Sequence, residues 1–305
     1  MASQRDVKNR ISSVKNIQKI TRAMEMVAAA RLRRAEQRIA ALRPYADALR
    51  RMTRQAAQAA GAEATRLPLL SEHESTDRIG LLLVTGDRGL AGGFNSQIIR
   101  AGVRIGDEYA EQGAQAAWYA TGRRGVSSLT FRGRELAGSY TGFADKPAYA
   151  DARSIADDLM TGYIDGDLDR VEIVYNAYIS PLTQQVKRET LLPLSAATIA
   201  AEADDDGEAG DDAGQPAGPR ALVAYEPDPE EILKRLVPDY VEISIYRSLV
   251  ESTAGFFGAQ MTAMRSASDN AGEIITDLTL QMNRARQAEI TQEIMEVVAG
   301  AEGLT

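Results

Sequence analysis

The sequence predicts an α/β fold with long terminal helices, in which an antiparallel two-helix coiled coil adjoins an α/β body. At both ends of the 305-residue chain, apolar residues recur every three or four positions, which is typical of long helices with a continuous seam. Between these ends, short apolar runs alternate with helical segments, as in an α/β layer with at least partly parallel strands. We therefore divide the chain into a helix over residues 1–58, a body over 77–222 and a second helix over 228–305.

The first helix is expected over about residues 3–58. Its predicted seam consists of Val7, Ile11, Val14, Ile17, Ile20, Met24, Val27 and Ala30, followed by Ala35, Ile39, Leu42, Ala46, Leu49 and Met52. Pro44 is the one discordant residue, because proline lacks the backbone N–H that a helix interior requires. We expect Pro44 to kink or interrupt the helix.

The last helix is expected over about residues 239–299, because Pro238 followed by Asp239 is typical of a helix start. Its predicted stripe consists of Val241, Ile245, Leu249, Ser252, Phe256, Met261, Met264, Ala267, Ala271, Ile275, Leu278, Met282 and Ala285, and Ile294 and Val297 extend it. Three glycines interrupt this helix, at 255, 258 and 272. Each costs about 1 kcal/mol relative to alanine unless a close contact requires it.

The middle of the chain differs in kind. Strands are expected at 79–85, 116–120, 171–175 and 186–192, and the main helices at about 95–112 and 149–165. A Gly-rich turn, Gly86–Gly93, follows the first strand. Residues 200–218 are rich in Ala, Asp, Glu and Gly without periodicity, which predicts a solvated acidic loop.

The length of the two helices predicts a protein partner. A helix of about 60 residues is roughly 90 Å long, whereas a body of about 150 residues is only about 40 Å across. The helices are therefore expected to project from the body and to pair. Ala23–Ala30 is apolar on more than one helix face, and the C-terminal end from Val297 to Leu304 is nearly uncharged. Apolar surface all around a helix indicates burial by another protein.

Composition excludes several classes of site. The chain has no cysteine, and His73 is its single histidine, so thiolate chemistry and His-cluster metal sites are excluded. The turn 86–93 lacks the Lys-Ser/Thr of a phosphate-binding loop, and no nucleophile–base set is readable. His73 is expected at the surface. The sequence shows no apolar run of membrane-spanning length and no signal-peptide pattern, so we expect a soluble protein in a reducing compartment.

Charge is distributed unevenly along the chain. The formal net charge is −8, yet residues 1–54 carry fourteen Lys/Arg against four acids, and residues 201–220 carry seven acids against one Arg. A basic arm indicates either nucleic acid or an acidic protein surface as partner. The apolar seam and the acidic overall charge disfavour nucleic acid.

Three blocks of sequence resemble the gamma subunits of F-type ATP synthases: Arg10–Ala30, the turn and first helical residues Gly86–Asn95, and Asn283–Ala301. The resemblance implies a rotor without a catalytic site or cofactor of its own, whose Rossmann-like body supports a coiled-coil shaft. It further implies one copy per complex inside an alpha3beta3 hexamer, contacts with the epsilon subunit and the membrane c-ring, and no nucleic-acid partner. Its expected location is peripheral, on the cytoplasmic face of a bacterial plasma membrane.

The resemblance also implies roles for particular residues. The expected contacts with a catch loop of one beta subunit are Arg286, Gln287 and Thr291. The expected shaft contacts with beta are Lys19, Arg22 and Met24 and, in a basic band, Arg31, Arg33 and Arg34. The foot expected on the membrane ring comprises Tyr225, Glu226 and Asp228. The residues alone leave alternatives open. Met24 could pack in the seam, the arginines could lie on a solvated face, and the foot could be a helix start. The whole chain could be a coiled-coil scaffold or an α/β enzyme dimerised by its long helices.

Overall fold

The computed structural model describes residues 4–194 and 228–302, which form two compact units. The first unit combines the described residues of 1–30 and 260–305, and the second comprises those of 31–259. The acidic loop predicted at 200–218 lies outside the described residues. Across the described part of the chain, none of the helices combines the length and apolar character needed to span a bilayer.

The first unit is an antiparallel helix pair. Helix α1 spans Gln4–Ala60 and helix α5 spans Pro229–Glu302, and the unit contains the N-terminal part of α1 and the C-terminal part of α5. Gln18 Nε2 donates to the carbonyl of Ser268 at 3.2 Å, and Arg265 Nε lies 2.8 Å from a Glu25 carboxylate oxygen. The partner number falls as the α1 number rises, so the predicted antiparallel pairing is confirmed.

The seam of α1 differs from the predicted one beyond Val14. The positions that face α5 include Gln18, Thr21, Glu25 and Ala28, of which Thr21 and Ala28 are buried. Ile17, Ile20 and Val27, predicted as seam residues, are instead 53%, 58% and 52% exposed. The observed positions 7, 11, 14, 18, 21, 25 and 28 keep a strict repeat of 3.5 residues, which is the period that holds one helix face against its partner. Hydrogen bonds and an ion pair satisfy the polar side chains in that seam.

Helix α5 continues beyond its partner. Met264, Ser268 and Ala271 are buried in the seam, whereas every side chain described over 286–299 is exposed. Because Ser268 lies opposite Gln18, residues near 282 lie opposite the start of α1 at Gln4, and residues from 286 onward lie beyond it. Residues 286–302, here called the overhang, therefore extend about 26 Å as a single helix. The prediction that Ile294 and Val297 extend the seam is wrong, since no described helix lies opposite them.

The second unit is built on a five-stranded sheet with the order β3-β2-β1-β4-β5. After the N-terminal helix, the chain forms in order a 3-10 helix Gly61–Arg66, β1 Arg78–Val84, α2 Phe94–Glu111, β2 Gln115–Thr121, α3 Arg123–Phe131, β3 Leu136–Tyr140, α4 Tyr149–Ile164, β4 Arg170–Tyr178 and β5 Gln184–Leu192. All strand pairs are parallel except β4 with β5. The predicted α/β class with partly parallel pairing is confirmed.

Helices cover both faces of this sheet. Helix α4 and the parts of α1 and α5 that belong to this unit pack on the face that carries Leu82, Ile173 and Tyr175. Helix α2 packs on the opposite face. It lies so close to the sheet that a Cβ at Gly102 would be 2.6 Å from the Leu83 side chain, and a Cβ at Gly106 would be 2.6 Å from the Trp118 side chain. The sheet is therefore the central layer of three, and β1 is almost wholly buried.

Pro44 and Pro238, which were expected to interrupt or precede a helix, lie inside α1 and α5. Helix α5 begins at Pro229 rather than after Pro238, because the side chains on both sides of Pro238, from Leu233 to Val241, bury an apolar face in the core. Helix α1 continues without interruption through the exposed Pro44, since Ala46 and Leu49 beyond it are also held in the core. Tertiary packing thus outweighs the hydrogen bond that each proline removes.

Close contacts explain the three glycines of α5. A Cβ at Gly255 would lie 3.3 Å from the Phe94 ring, at Gly258 3.0 Å from the carbonyl of Pro181, and at Gly272 3.2 Å from Gln18 Nε2. The structure also contains α3 and β3, which are absent from the predicted elements. Both are short, and β3 holds Gly138 and Ser139 instead of an apolar run.

Candidate partner-binding surfaces

The crevice at the carboxyl ends of β1 and β2, where α/β sheets commonly bind ligands, is filled by the protein itself. Phe256 of α5 packs edge-to-face on Phe94 with the ring centroids 5.5 Å apart, and a Cβ at Gly86 would lie 3.0 Å from the Phe256 ring. The remaining cavity is only about 10 Å³, which is about the limit for one water molecule. A nucleotide does not fit this crevice.

The turn 86–93 is instead held by its own hydrogen bonds. Asn95 Oδ1 accepts from the Gly86 amide, and Asn95 Nδ2 donates to the carbonyl of Arg88. The Asp87 carboxylate accepts from the amides of Gly142, Ala144 and Arg123, the last at the start of α3. Polar residues in this turn therefore serve to join three loops.

A basic cleft of about 470 Å³ opens beside that turn. Arg31, Arg34, Arg38 and Lys146 line it together with Asp145 and Phe257. Asp145 pairs with Arg31, and the Arg31 guanidinium lies over the Phe257 ring at 5.5 Å. Within residues 4–194 and 228–302, the other three cations form no ion pair, so the cleft carries excess positive charge and suits a carboxylate-rich partner surface. Arg33, also predicted in the basic band, is exposed on α1 and does not line this cleft.

The three residues predicted to contact a catch loop lie together on the overhang. Arg286, Gln287 and Thr291 are exposed, and the Thr291 hydroxyl donates to the carbonyl of Gln287 at 2.8 Å. Among residues 4–194 and 228–302, neither the side-chain amide of Gln287 nor the guanidinium of Arg286 forms a hydrogen bond, so both groups can donate to a partner. The same segment exposes Ile290, Ile294, Met295, Val297 and Val298, each between 47% and 72%.

The N-terminal part of α1 carries a second apolar surface. Ile17, Ile20 and Val27, here called the outer stripe, lie on one helix face because their spacing closely follows the helical period. Lys19 and Arg22 are exposed, and Met24 is half-buried. Sequence reasoning identified these apolar residues but assigned them to the seam. The signal that separates the two stripes is the unbroken 3.5-residue repeat through Gln18, Thr21 and Glu25.

The foot is only partly described. Tyr225 and Glu226 lie outside the described residues. Asp228 is exposed, and its carbonyl accepts from the amides of Glu231 and Ile232, so it stands at the N-terminal boundary of α5. This geometry accounts for Asp228 as a helix start and leaves its carboxylate accessible.

His73 is more enclosed than expected. Its ring stacks on Tyr163 with centroids 4.4 Å apart, and Nδ1 lies 3.2 Å from an Asp169 carboxylate oxygen. Burial alone would raise the pKa of Asp169, but hydrogen bonds from the Arg78 amide, His73 and the Asp77 amide hold that pKa below its ordinary value. The expectation of a surface histidine is therefore corrected to a half-buried ring that anchors the segment before β1. Over the described residues, no group of three or more potential metal-ligating side chains is present.

Comparison with known proteins bears on the whole chain. A family model described as "ATP synthase" matches residues 3–304. The chain is 43% identical over 304 residues to the "ATP synthase gamma chain" of Rubrobacter xylanophilus, covering 100% of this chain and 99% of the relative. It is 41% identical to the protein of the same name from Moorella thermoacetica, covering 100% of both chains.

Solved structures share the fold. A chain of the Tetrahymena thermophila mitochondrial ATP synthase central stalk and c-ring structure matches with a TM-score of 0.59 at 23% identity, covering 82% of this chain and 99% of that chain. A chain of the Euglena gracilis mitochondrial ATP synthase structure, which comprises OSCP, F1 and c-ring, matches with a TM-score of 0.66 at 14% identity, covering 99% and 94%. The antiparallel helix pair with an α/β body is thus a fold that occurs in solved ATP synthase structures, including one of the central stalk and c-ring. The chain belongs to the ATP synthase gamma chain family.

Proposed function

We propose that the chain acts as the central-stalk rotor of an F-type, proton-translocating ATP synthase and couples rotation of the membrane ring to ATP synthesis at the beta subunits. The observation that supports this most strongly is the exposed apolar surface of the helix pair. The outer stripe and the overhang expose eight large aliphatic or thioether side chains on helices whose own seam is already satisfied. Exposed apolar surface of this kind is typical of a protein–protein interface, and we assign an alpha3beta3 hexamer as the partner that surrounds it.

The apolar surface also suits a turning shaft. Contacts between apolar side chains are non-directional, so they hold no single angle as strongly as a set of hydrogen bonds. Directional contacts are reserved for a few positions: Arg286, Gln287 and Thr291 toward a catch loop, and Lys19 and Arg22, beside Met24, toward an acidic segment of beta. The basic cleft with Arg31 and Arg34, and Arg33 beside it, extends the positive surface toward the same partner.

Charge asymmetry provides the coupling. Residues 4–30 of α1 carry six basic and two acidic side chains, whereas the overhang carries one arginine and four glutamates. Each beta subunit around the shaft therefore meets a different surface at each angle, and the shaft favours a different conformation of each. The chemistry of ATP formation belongs to beta, since the ligand crevice of this chain is closed by Phe94 and Phe256.

The body completes the rotor. We assign Tyr225, Glu226 and Asp228 to the contact with the polar loops of the c-ring, where their acidic groups complement basic loops, and the body to the contact with epsilon. One copy per complex follows from a single shaft inside one hexamer. The location is peripheral, on the cytoplasmic face of a bacterial plasma membrane.

Reconstitution tests this function. The purified chain is mixed with alpha and beta subunits, and complex formation and ATPase activity are measured. We expect a stable complex whose activity falls in Arg286→Ala and Gln287→Ala but not in Gln292→Ala, an exposed residue on another face of the same helix. A chain that remains separate from alpha and beta would exclude the rotor function and favour a coiled-coil scaffold for another partner.

A further inference from the structure

A single loop in the second unit contacts both long helices. Residues 141–148, between β3 and α4, are here called the clamp loop. Asp145 Oδ2 lies 3.1 Å from Arg31 Nη1 on α1, and the carbonyl of Ala144 accepts from Thr253 Oγ1 on α5 at 2.9 Å. Arg31 also lies over the ring of Phe257 on α5. The clamp loop therefore contacts α1 and α5 at a place where the two helices also contact each other.

The clamp loop is fixed to the sheet from its other side. The Asp87 carboxylate, directly after β1, accepts from the amides of Gly142 and Ala144 at 3.1 and 3.2 Å. Arg88 Nη1 lies 3.5 Å from the same Asp145 oxygen that Arg31 approaches. Asp145 thus joins an arginine of the long helix to an arginine of a turn that its own hydrogen bonds make rigid.

The contacts of the clamp loop with the helices lie near the ends of the second unit. Arg31 is the first residue of the second unit, and Phe257 lies two residues before its end. The contacts of the clamp loop with the helices therefore lie close to the points in the chain where α1 and α5 enter and leave the second unit. Energetic coupling travels through hydrogen bonds, ion pairs and packed side chains that connect rigid elements.

We infer that the clamp loop, through Asp145, is the torsional attachment by which the sheet and the segments of α1 and α5 that belong to the second unit turn as one body. This inference rests on the rotor function proposed above. Asp145 is a positioning residue: its carboxylate pairs with both Arg31 and Arg88, and it sets how much of a rotation is lost as internal twist.

The test compares Asp145→Asn with Asp107→Asn in the chain assembled with alpha and beta. Asp107 forms an ion pair with Arg134 at 2.7 Å within the body and is not among the clamp contacts. Because the chain has no cysteine, Glu111→Cys at the exposed end of α2 gives a unique attachment for a bead. With the hexamer fixed to a surface and no ATP present, the variance of the bead angle reports torsional stiffness.

We expect the variance to rise roughly twofold in Asp145→Asn, because one of the two polar attachments to the helices is lost, and to stay at the wild-type value in Asp107→Asn. Asp145→Glu, which keeps the charge, should restore part of the stiffness. Equal variance in the two asparagine variants would overturn the inference.

A second measurement does not depend on assembly. In the isolated chain, amide hydrogen exchange over residues 141–148 should accelerate in Asp145→Asn and not in Asp107→Asn. Unchanged exchange would refute the clamp even if the wild-type chain assembles and rotates. Accelerated exchange in a chain that fails to assemble would contradict the rotor function while leaving the clamp contacts established.

Discussion

Replacing the outer stripe separates the stability of the helix pair from its contact with a partner. Ile17, Ile20 and Val27 are each about half exposed in the isolated chain. Fully burying an aliphatic side chain contributes about 1.5–3 kcal/mol, so burying the exposed half of each contributes about 1 kcal/mol in the complex. The triple replacement by serine therefore removes about 3 kcal/mol of binding free energy, which weakens the complex with alpha and beta roughly 100-fold.

The isolated chain should tolerate the same change. Isoleucine, valine and serine have similar helix propensities, and substitutions at exposed positions usually alter the free energy of unfolding by about 0.5 kcal/mol or less. The matched control is Ile11→Ser, because Ile11 is 8% exposed in the seam. That control should lower the melting temperature of the isolated chain, as large-to-small core changes do.

The assay measures two quantities for each variant: the dissociation constant with the alpha–beta hexamer and the thermal unfolding of the isolated chain by circular dichroism. An unchanged dissociation constant in the triple variant would refute the assignment of the outer stripe to a surrounding protein. A large loss of stability in the isolated triple variant would show that these residues belong to the seam after all.

Three further substitutions test the second unit. Glu172→Gln should destabilise the chain by about 3 kcal/mol in urea unfolding, because the buried carboxylate accepts from the Tyr109 hydroxyl and from Arg188 at 2.6 and 2.7 Å. Gly122→Ala should lower the melting temperature or prevent folding, since φ is 81° there and a Cβ would lie 2.2 Å from the carbonyl oxygen of Thr85. Asp169→Asn should flatten the pH dependence of the free energy of unfolding below about pH 4. The lowered pKa of the Asp169 carboxyl stabilises the folded chain above the unfolded-state pKa, and this stabilisation is lost as the pH falls through the folded-state pKa. Urea unfolding of the variant and the wild type between pH 3 and 7 measures the difference.

The class of fold was predictable because its signals are long and periodic. Apolar spacing over many helical turns and a buried strand such as β1 leave little choice of structure. The sequence was less informative where a weak pattern competed with a strong one. In α1 the more hydrophobic stripe through Ile17 and Ile20 suggested the seam, yet the partner helix packs on the stripe that keeps the regular 3.5-residue repeat and includes Gln18 and Thr21. Hydrophobicity alone does not distinguish a surface buried within the chain from one reserved for a partner.

Contacts between distant positions were beyond sequence reasoning. Asp145 and Arg31 are 114 residues apart, and no local pattern marks either as a member of a pair. The start of α5 was misplaced for a related reason. Pro238 followed by Asp239 is a local pattern typical of a helix start, and only the burial of Leu233 and Val237 in the core shows why the helix begins earlier. Arg286 and Gln287 were predicted as contact residues from resemblance to a family, and the structure adds that both are exposed on a part of α5 with no described helix opposite it.

Rotation of the body relative to a fixed hexamer tests the central claim most directly. Alpha and beta subunits are fixed to a surface, the chain is assembled with them, and a bead attached through Glu111→Cys is followed after ATP is added. The rotor function predicts unidirectional turning of the bead that depends on ATP and stops when ATP is removed. A complex that hydrolyses ATP while the bead shows only undirected fluctuation would contradict it.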